Sequence, residues 1–328
     1  MITINEIRKP IEAELAEFNE FVKRNFSAKD GLIAEMLEYV LASRGKGIRP
    51  ILVMLSAAMN SENEGRFGKR THLAAMLIEM IHVASLIHDD VIDESNLRRG
   101  KASVNARWQS RNAVLVGDYI LAKNMDLGLS SGQYDLVSHV IKTMTTLCEG
   151  ELIQSDHASK LDTSREAYFD IIYKKTASLL SASASAGALS VGASPANVAA
   201  MRRFGEYVGL AFQIRDDILD YTTTADTGKP SNNDLRERKI TLPLIEVLET
   251  VSDEERAEII SLVERCATDE SCVEQVQQRV VAAGGIEAAT ETMKIYLQRA
   301  MSILGGYEES PYRQALIDLC TYIAERNR

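Results

Sequence analysis

The sequence predicts an all-α protein, and three observations carry that prediction. Strand signals, meaning short β-branched runs bounded by turn residues, are nearly absent. Apolar residues recur instead at helical spacing along most of the chain. The two densest aspartate clusters, Asp89-Asp90 with Asp93 and Asp216-Asp217 with Asp220, each close such an apolar segment.

In chain order, Ile4, Ile7, Ile11, Leu15, Phe18 and Val22 step at helical period and predict one amphipathic N-terminal helix. A second helix is expected from about Gly31 to Ala42, and a third from Pro50, suited to a first turn, to about Met59. Between them lies the glycine-bracketed basic turn SRGKGIRP, residues 43 to 50, with Arg44, Lys46 and Arg49. After a polar loop at 61 to 69, a helix from about Thr71 to Asp93 carries the first acid cluster. Further helices are expected at Val104–Leu127, broken near Arg111-Asn112, and at Tyr134–His157. Another starts near Thr163, with Asp162 or Thr163 as N-cap and Glu166 near capping-box spacing. Lys174, Lys175 and Thr176 interrupt its apolar pattern, and a charge-free run continues to Met201. Its serines, glycines and Pro195 argue for close helix packing rather than a membrane span. Ser194-Pro195 is a good start for the helix that ends at the second acid cluster. Residues 222 to 239 are the most loop-like stretch and are expected to form a lid, with Lys229 and Lys239 in it. Beyond Thr241 the pattern is helical, interrupted at Gly284-Gly285 and Gly305-Gly306.

The 328 residues are 45% hydrophobic, enough for a large core, and no linker divides them; a single domain over 1–328 is expected. A net charge of -10 and a pI near 5.2 argue against non-specific nucleic-acid binding and against a basic membrane patch. The cysteines, Cys148, Cys266, Cys272 and Cys320, are scattered without metal-ligand spacing, as reduced thiols in a cytoplasmic protein would be. The N-terminus lacks the apolar core of a signal peptide.

Asp89 and Asp93 are four residues apart and share a helix side, with Asp90 rotated by about 100°. Like charges at that spacing disfavour a helix, and a hard divalent cation with oxygen ligands relieves them. Arg98 and Arg99 come next at anion-holding distance, so metal, carboxylates and guanidinium groups together describe a diphosphate site. A lone cluster of this kind is equally a solvated helix end beside a basic loop. The second copy at Asp216, Asp217 and Asp220 favours two clusters facing each other across a cavity. His82 lies two turns below Asp89 on the same stripe and is a candidate phosphate contact; His88 lacks that alignment and reads as structural. Gln213 shares a broad helix face with Asp217 and Asp220.

These residues resemble the trans-isoprenyl diphosphate synthases, the polyprenyl synthetase family, over nearly the whole chain. The similarity rests on RGKGIRP, DDVIDESNLRRG, GDYIL, YKKTASL, FQIRDDILD, TGKPSNNDL and RKITLPL, in that order. Arg44 and Gly47 depart from the family's first basic block. The resemblance implies a single-domain helical bundle around a deep central cavity, usually a homodimer. It implies Mg²⁺, three ions with two at the first cluster and one at the second, held by Asp89, Asp93 and Asp216 with Asp90, Asp217 and Asp220 in support. It implies that Arg98, Lys175, Thr176, Gln213, Lys229 and Lys239 hold an allylic diphosphate, Lys175, Thr176 and Gln213 also acting in catalysis. Lys46, Arg49, His82 and Arg99 would hold isopentenyl diphosphate. Head-to-tail condensation of the two is the implied reaction.

Ser85, about 5.4 Å below Asp89, and its neighbour Ala84 are small where short-product members carry bulky aromatics. Ile81 and Ile78 continue the wall as apolar surface. The expectation is therefore a long product, around octaprenyl diphosphate, for a respiratory quinone side chain, with a transient membrane contact at release. A short-chain synthase, a terpene cyclase and a non-catalytic partner subunit are the competing readings; two full DDxxD clusters and intact basic anchors disfavour the last two.

Overall fold

The computed structural model describes residues 2–43, 45–62, 67–222 and 232–326. The N-terminal stripe is built as predicted, with Ile7, Ile11, Phe18 and Val22 buried. It is not one helix, however: α1 (Ile4–Arg8) passes through a 3₁₀ turn (Lys9–Ile11) into α2 (Glu12–Asn25). Pro10 lacks an N–H and its ring obstructs the preceding turn, so the α ladder breaks there. Thr3 and Glu6 form a capping box at the start.

Helices α3 (Gly31–Ala42) and α4 (Ile48–Asn60) flank the glycine turn, and Gly47 at φ +66° is the N-cap of α4. That left-handed backbone accounts for glycine where the family pattern has a basic residue. Arg44 falls outside the described residues. Helix α5 (Lys69–Ile92) ends at Asp93, its C-cap. A two-residue hairpin comes after it, β1 (Leu97–Arg98) against β2 (Lys101–Ala102). Arg99 and Gly100, both at positive φ, make its turn. The RRG sequence is thus a tight hairpin tip, the one strand pair among the described residues.

Next come α6 (Val104–Ser130), kinked at Gln109 two residues before the expected break, and α7 (Tyr134–Lys160). Helix α8 (Arg165–Ile172) is capped by Ser164, whose hydroxyl accepts the Ala167 N–H, rather than by Asp162 or Thr163. At Tyr173–Ala177 the helix widens into a π turn. The polar interruption Lys174-Lys175-Thr176 is therefore a helical bulge, a deformation that recurs at functional sites.

Helix α9 (Ser178–Ser190) is the centre of the bundle, buried at nearly every position and packed by α4, α5, α7 and α10 (Pro195–Thr222). Two of its serines satisfy themselves on the preceding turn, Ser183 donating to the Leu179 carbonyl and Ser185 to Ser181, each at 2.7 Å, while Ser181 donates across to the Arg202 carbonyl. Close approach explains the small residues. A Cβ on Gly209 of α10 would sit 2.5 Å from the Ala177 Cα, and one on Gly150 of α7 would sit 2.7 Å from the Lys175 N. These two glycines let α7 and α10 clasp the π turn.

The remaining helices, α11 (Asn233–Arg236), α12 (Leu242–Leu248), α13 (Asp253–Arg265), α14 (Glu270–Ala282), α15 (Gly285–Leu304) and α16 (Pro311–Glu325), close the bundle. Breaks fall at the two glycine pairs as expected, but two more, at 249–252 and 266–269, separate α12, α13 and α14 without a glycine. One helix among the described residues, α5, is long and apolar enough to cross a membrane, yet 78% of its most apolar window is buried inside the fold.

Candidate active site

The end of α5, the π turn and the end of α10 converge, and two lysines reveal how the acid clusters lie. Lys175 is close enough to act on the charges of both Asp89 and Asp234. Lys239 likewise feels both Asp234 and Asp93. Asp89 and Asp93 of the first cluster and Asp234, whose charge acts in turn on Asp217 of the second, therefore lie within electrostatic reach of the same two lysines. A cavity of about 100 Å³ is lined by Lys175, Thr176, Gln213, Asp217, Asp234 and Lys239 among others.

On the first cluster, Asp90 is buried and receives both Nε (2.9 Å) and Nη2 (2.5 Å) of Arg98 on its Oδ1. The hairpin is pinned to α5 by this pair. Arg98 thus holds Asp90 in this structure, and both line a second, smaller cavity with Tyr39 and Val104. Asp89 lacks such a partner among the described residues. Burial, then repulsion from Glu151, pushes its pKa up to about 6 against the pull of Lys175. Asp93 is exposed at the helix end, its N–H donating to the Asp89 carbonyl at 2.8 Å.

The second cluster is fully engaged. Asp217 is buried, accepting from the Tyr168 hydroxyl (2.6 Å) and from Gln213 Nε2 (2.8 Å). Gln213 Oε1 in turn accepts from the Thr176 hydroxyl at 2.7 Å. Burial and the neighbouring Asp234 hold the Asp217 carboxyl well above the usual range. Asp220 accepts the backbone N–H groups of Asn233 and Asp234, each at 3.0 Å. Asp216 meets the Arg326 guanidinium at 2.7 Å; that guanidinium also donates to the Phe212 carbonyl and lies over the Phe212 ring.

The basic block forms a separate pole. Arg49, His82 and Arg99 stand close enough to disfavour one another's charge. Burial lowers Arg49 to about 10, and burial with Arg49, Arg99 and Arg98 nearby holds His82 neutral, well below its ordinary value. Arg99 packs flat on Gly45, where a Cβ would sit 2.4 Å from its Cζ, and Nη1 donates to the Ser43 carbonyl. Lys46 stands farther out, donating to the Tyr322 hydroxyl at 2.7 Å. Three cationic or basic groups crowd here, and buried Glu79 is the carboxylate that supports the charge on Arg49; the excess of positive charge describes an anion seat.

Of the chain-length residues, Ile78, Ile81 and Ala84 are buried in the core, and half-buried Ser85 donates to the His82 carbonyl. Lys229 falls outside the described residues. Sequence reasoning passed over Tyr168, Glu151, Gln154, Asp234 and Arg326. Tyr168 reads as a core aromatic, Asp234 as loop, and Arg326 lies 110 residues from the aspartate it pairs with.

The donor set fits Mg²⁺: oxygen ligands only, with Asp89 desolvated and short of positive charge. Among the described residues no three acidic, histidine or cysteine side chains converge tightly enough to hold a metal alone.

Comparison with known proteins agrees. Residues 30–280 match the polyprenyl synthetase family model. The chain is 35% identical over 322 residues to an all-trans-nonaprenyl-diphosphate synthase (geranyl-diphosphate specific) of Rhodobacter capsulatus, covering 98% of this chain and 97% of that one. It is 34% identical over 294 residues to a short chain isoprenyl diphosphate synthase of Methanothermobacter thermautotrophicus, covering 88% and 89%. The fold matches a Caulobacter crescentus polyprenyl synthase solved with calcium and isoprenyl diphosphate, at TM-score 0.89 and 29% identity over 100% and 99% of the two chains. Fold and sequence coincide, and the chain belongs to the polyprenyl synthetase family, as a prenyltransferase of the trans-prenyl diphosphate synthase type.

Proposed function

We propose that this enzyme condenses isopentenyl diphosphate head to tail with an allylic prenyl diphosphate, giving an all-trans product of around octaprenyl length for a respiratory quinone. The observation that carries the reading is the arrangement of two poles. An acid pole, shared by Asp89, Asp93 and the α10 cluster, suits a metal-bound allylic diphosphate. A basic pole of Lys46, Arg49, His82 and Arg99 suits a second diphosphate without metal.

Asp89, Asp93 and Asp216, with their neighbouring aspartates, would hold Mg²⁺, three ions in our reading, which when bound would neutralise the charge that develops on the departing diphosphate. Lys175 and Lys239 orient that leaving group, a role the resemblance extends to Lys229; Arg98 reaches it from the hairpin while bracing Asp90. Neutral His82 donates one ring N–H to the second diphosphate. The Thr176–Gln213–Asp217–Tyr168 chain fixes the Gln213 carbonyl and the Thr176 oxygen beside the allylic carbon, where both stabilise positive charge. The π-bond of isopentenyl diphosphate forms the new carbon–carbon bond as the allylic C–O bond breaks. The released diphosphate takes the proton.

Small Ala84 and Ser85 support the long product. A phenylalanine in either place would fill the wall below Asp89, with Ile81 and Ile78 beneath. Exposed apolar residues on α6 (Val114, Leu115, Tyr119) and α7 (Ile141, Leu152) support a homodimer. One contiguous core from Ile7 to Ile323 supports a single domain over 1–328. We place the enzyme in the cytoplasm, with brief membrane contact when its product leaves.

Purified protein with farnesyl diphosphate, isopentenyl diphosphate and Mg²⁺ should yield a longer prenyl diphosphate and inorganic diphosphate, and EDTA should stop it. Ala84→Phe and Ser85→Phe should end at farnesyl or geranylgeranyl diphosphate, read by reversed-phase chromatography after dephosphorylation. Variants that extend as far as wild type would remove the wall from these residues.

A further inference from the structure

Asp220 is drawn into the second acid cluster by its spacing, but both of its oxygens already serve the backbone. Oδ1 accepts the Asn233 N–H and Oδ2 the Asp234 N–H, while the Asp220 carbonyl accepts from Asn232 at 2.8 Å. Those bonds anchor the start of the short helix α11 on the end of α10. They set Asp234 in the wall of the cavity that also holds Asp217, Lys175 and Lys239.

The Asp234 carboxylate faces that cavity without a hydrogen-bond donor among the described residues. Burial first, and Asp220 next, push its pKa up to about 7, with Lys239 and Lys175 only partly opposing them. Both lysines are committed elsewhere: Lys239 donates to Glu237, and Lys175 donates to Glu151 (2.9 Å) and Gln154 (2.7 Å). The neighbouring Asp217 has both oxygens occupied by Tyr168 and Gln213. The cavity therefore has one carboxylate with open lone pairs and a deficit of positive charge, which a cation would relieve.

We propose that Asp234 is a carboxylate of the second metal–diphosphate site and that Asp220 is the positioning residue that holds it there, in place of ligating metal itself. The inference rests on the functional reading above. It is specific to this segment, because the DDxxD spacing points to Asp220 and not to Asp234.

The test uses the purified full chain with inorganic diphosphate and Mn²⁺, free Mn²⁺ being read by electron paramagnetic resonance. Wild type should bind Mn²⁺ in a diphosphate-dependent manner. Asp234→Asn should weaken one class of site at least about tenfold, while melting no lower than wild type, since a desolvated charge is removed. Asp220→Ala should also weaken binding, but with faster hydrogen exchange at the amides of 233 and 234, a change Asp234→Asn should not produce. Wild-type Mn²⁺ affinity in Asp234→Asn would overturn the inference and leave the enzyme's function standing. So would an Asp220→Ala variant that loses Mn²⁺ while those amides stay protected, since Asp220 would then be the ligand. Absence of diphosphate-dependent Mn²⁺ binding in wild type would overturn the functional reading and this inference together.

Discussion

The two aspartate clusters share one sequence pattern and live in opposite surroundings. At the end of α5 only Asp90 is tied down, by Arg98, and Asp89 and Asp93 are left within electrostatic reach of Lys175 and Lys239 respectively. At the end of α10 every carboxylate has an intramolecular partner: Arg326 for Asp216, Tyr168 and Gln213 for Asp217, and the α11 backbone for Asp220. The difference arises from the chain beyond each cluster. After the first, a hairpin of a few residues supplies one arginine. After the second, α11 and the end of the chain both pack back onto it. Identical spacing therefore gives one cluster with two carboxylates left without side-chain partners among the described residues and another that also organises the fold.

The largest expected effect breaks the comparison most directly. Asp89→Ala should lower turnover by about 10³-fold or more, since metal-borne charge stabilisation is worth several kcal/mol, and circular dichroism should show the helical content of wild type. Asp217→Ala should instead lose stability as well as activity. It strands the Tyr168 hydroxyl and the Gln213 amide in a buried site, at a cost of about 1–3 kcal/mol. Equal denaturation midpoints for the two variants would erase the distinction drawn between the clusters.

The basic residues sharpen it next. Arg49→Ala should raise KM for isopentenyl diphosphate, and Lys175→Ala should act chiefly on the allylic substrate. Each lost charge-assisted contact is worth roughly 1.5–3 kcal/mol, about 10- to 100-fold. Matched losses on both substrates in both variants would show the two poles to be one.

A smaller effect belongs to the chain end. Arg326 is buried while Asp216 is 43% exposed, so their pair lies between an exposed and a buried ion pair. Arg326→Ala should cost about 2 kcal/mol, intermediate between the two classes, in urea denaturation of the apoprotein. A loss no larger than that of an exposed control such as Lys294→Ala would mean that the second cluster stands without its terminal brace.

How much of this was legible in the residues varies with the distance a signal must span. Local patterns carried far: helix α3 ends where its residues suggested, and each acid cluster does close a long helix. Proline chemistry at Pro10 was present in the sequence but was outweighed by the unbroken apolar stripe, which continues through a 3₁₀ turn. The polar break at Lys174–Thr176 was visible as an interruption, but its form, a π turn, depends on Gly150 and Gly209 closing in from other helices. The roles of Asp220 and Arg326 were not legible at all. Each depends on backbone or side-chain partners brought in from beyond its own helix, and spacing within a motif contains nothing about them.

The last expected effect is the pH dependence of the first cluster, and its sign is set by the direction of the shift. Folded Asp89 has its pKa at about 6 against an ordinary 3.8, chiefly through burial and secondarily through Glu151. Between those values the folded apoprotein holds a proton that the unfolded chain has released. Asp89 therefore opposes folding most above about pH 6; that penalty fades as pH falls through 6 and is gone below about 3.8. Asp89→Asn should accordingly melt higher than wild type at pH 7.5, with the gap narrowing through pH 6 and closing near pH 4. Other groups, such as Asp234 and His82, titrate in both proteins and cancel in the difference. Adding Mg²⁺ with diphosphate at pH 7.5 should reverse the order, because the ligand then stabilises only the chain that retains the carboxylate. A gap that stays constant with pH, or that widens as pH falls, would mean that Asp89 is not strained in the apoprotein and that the contrast between the two clusters has another origin.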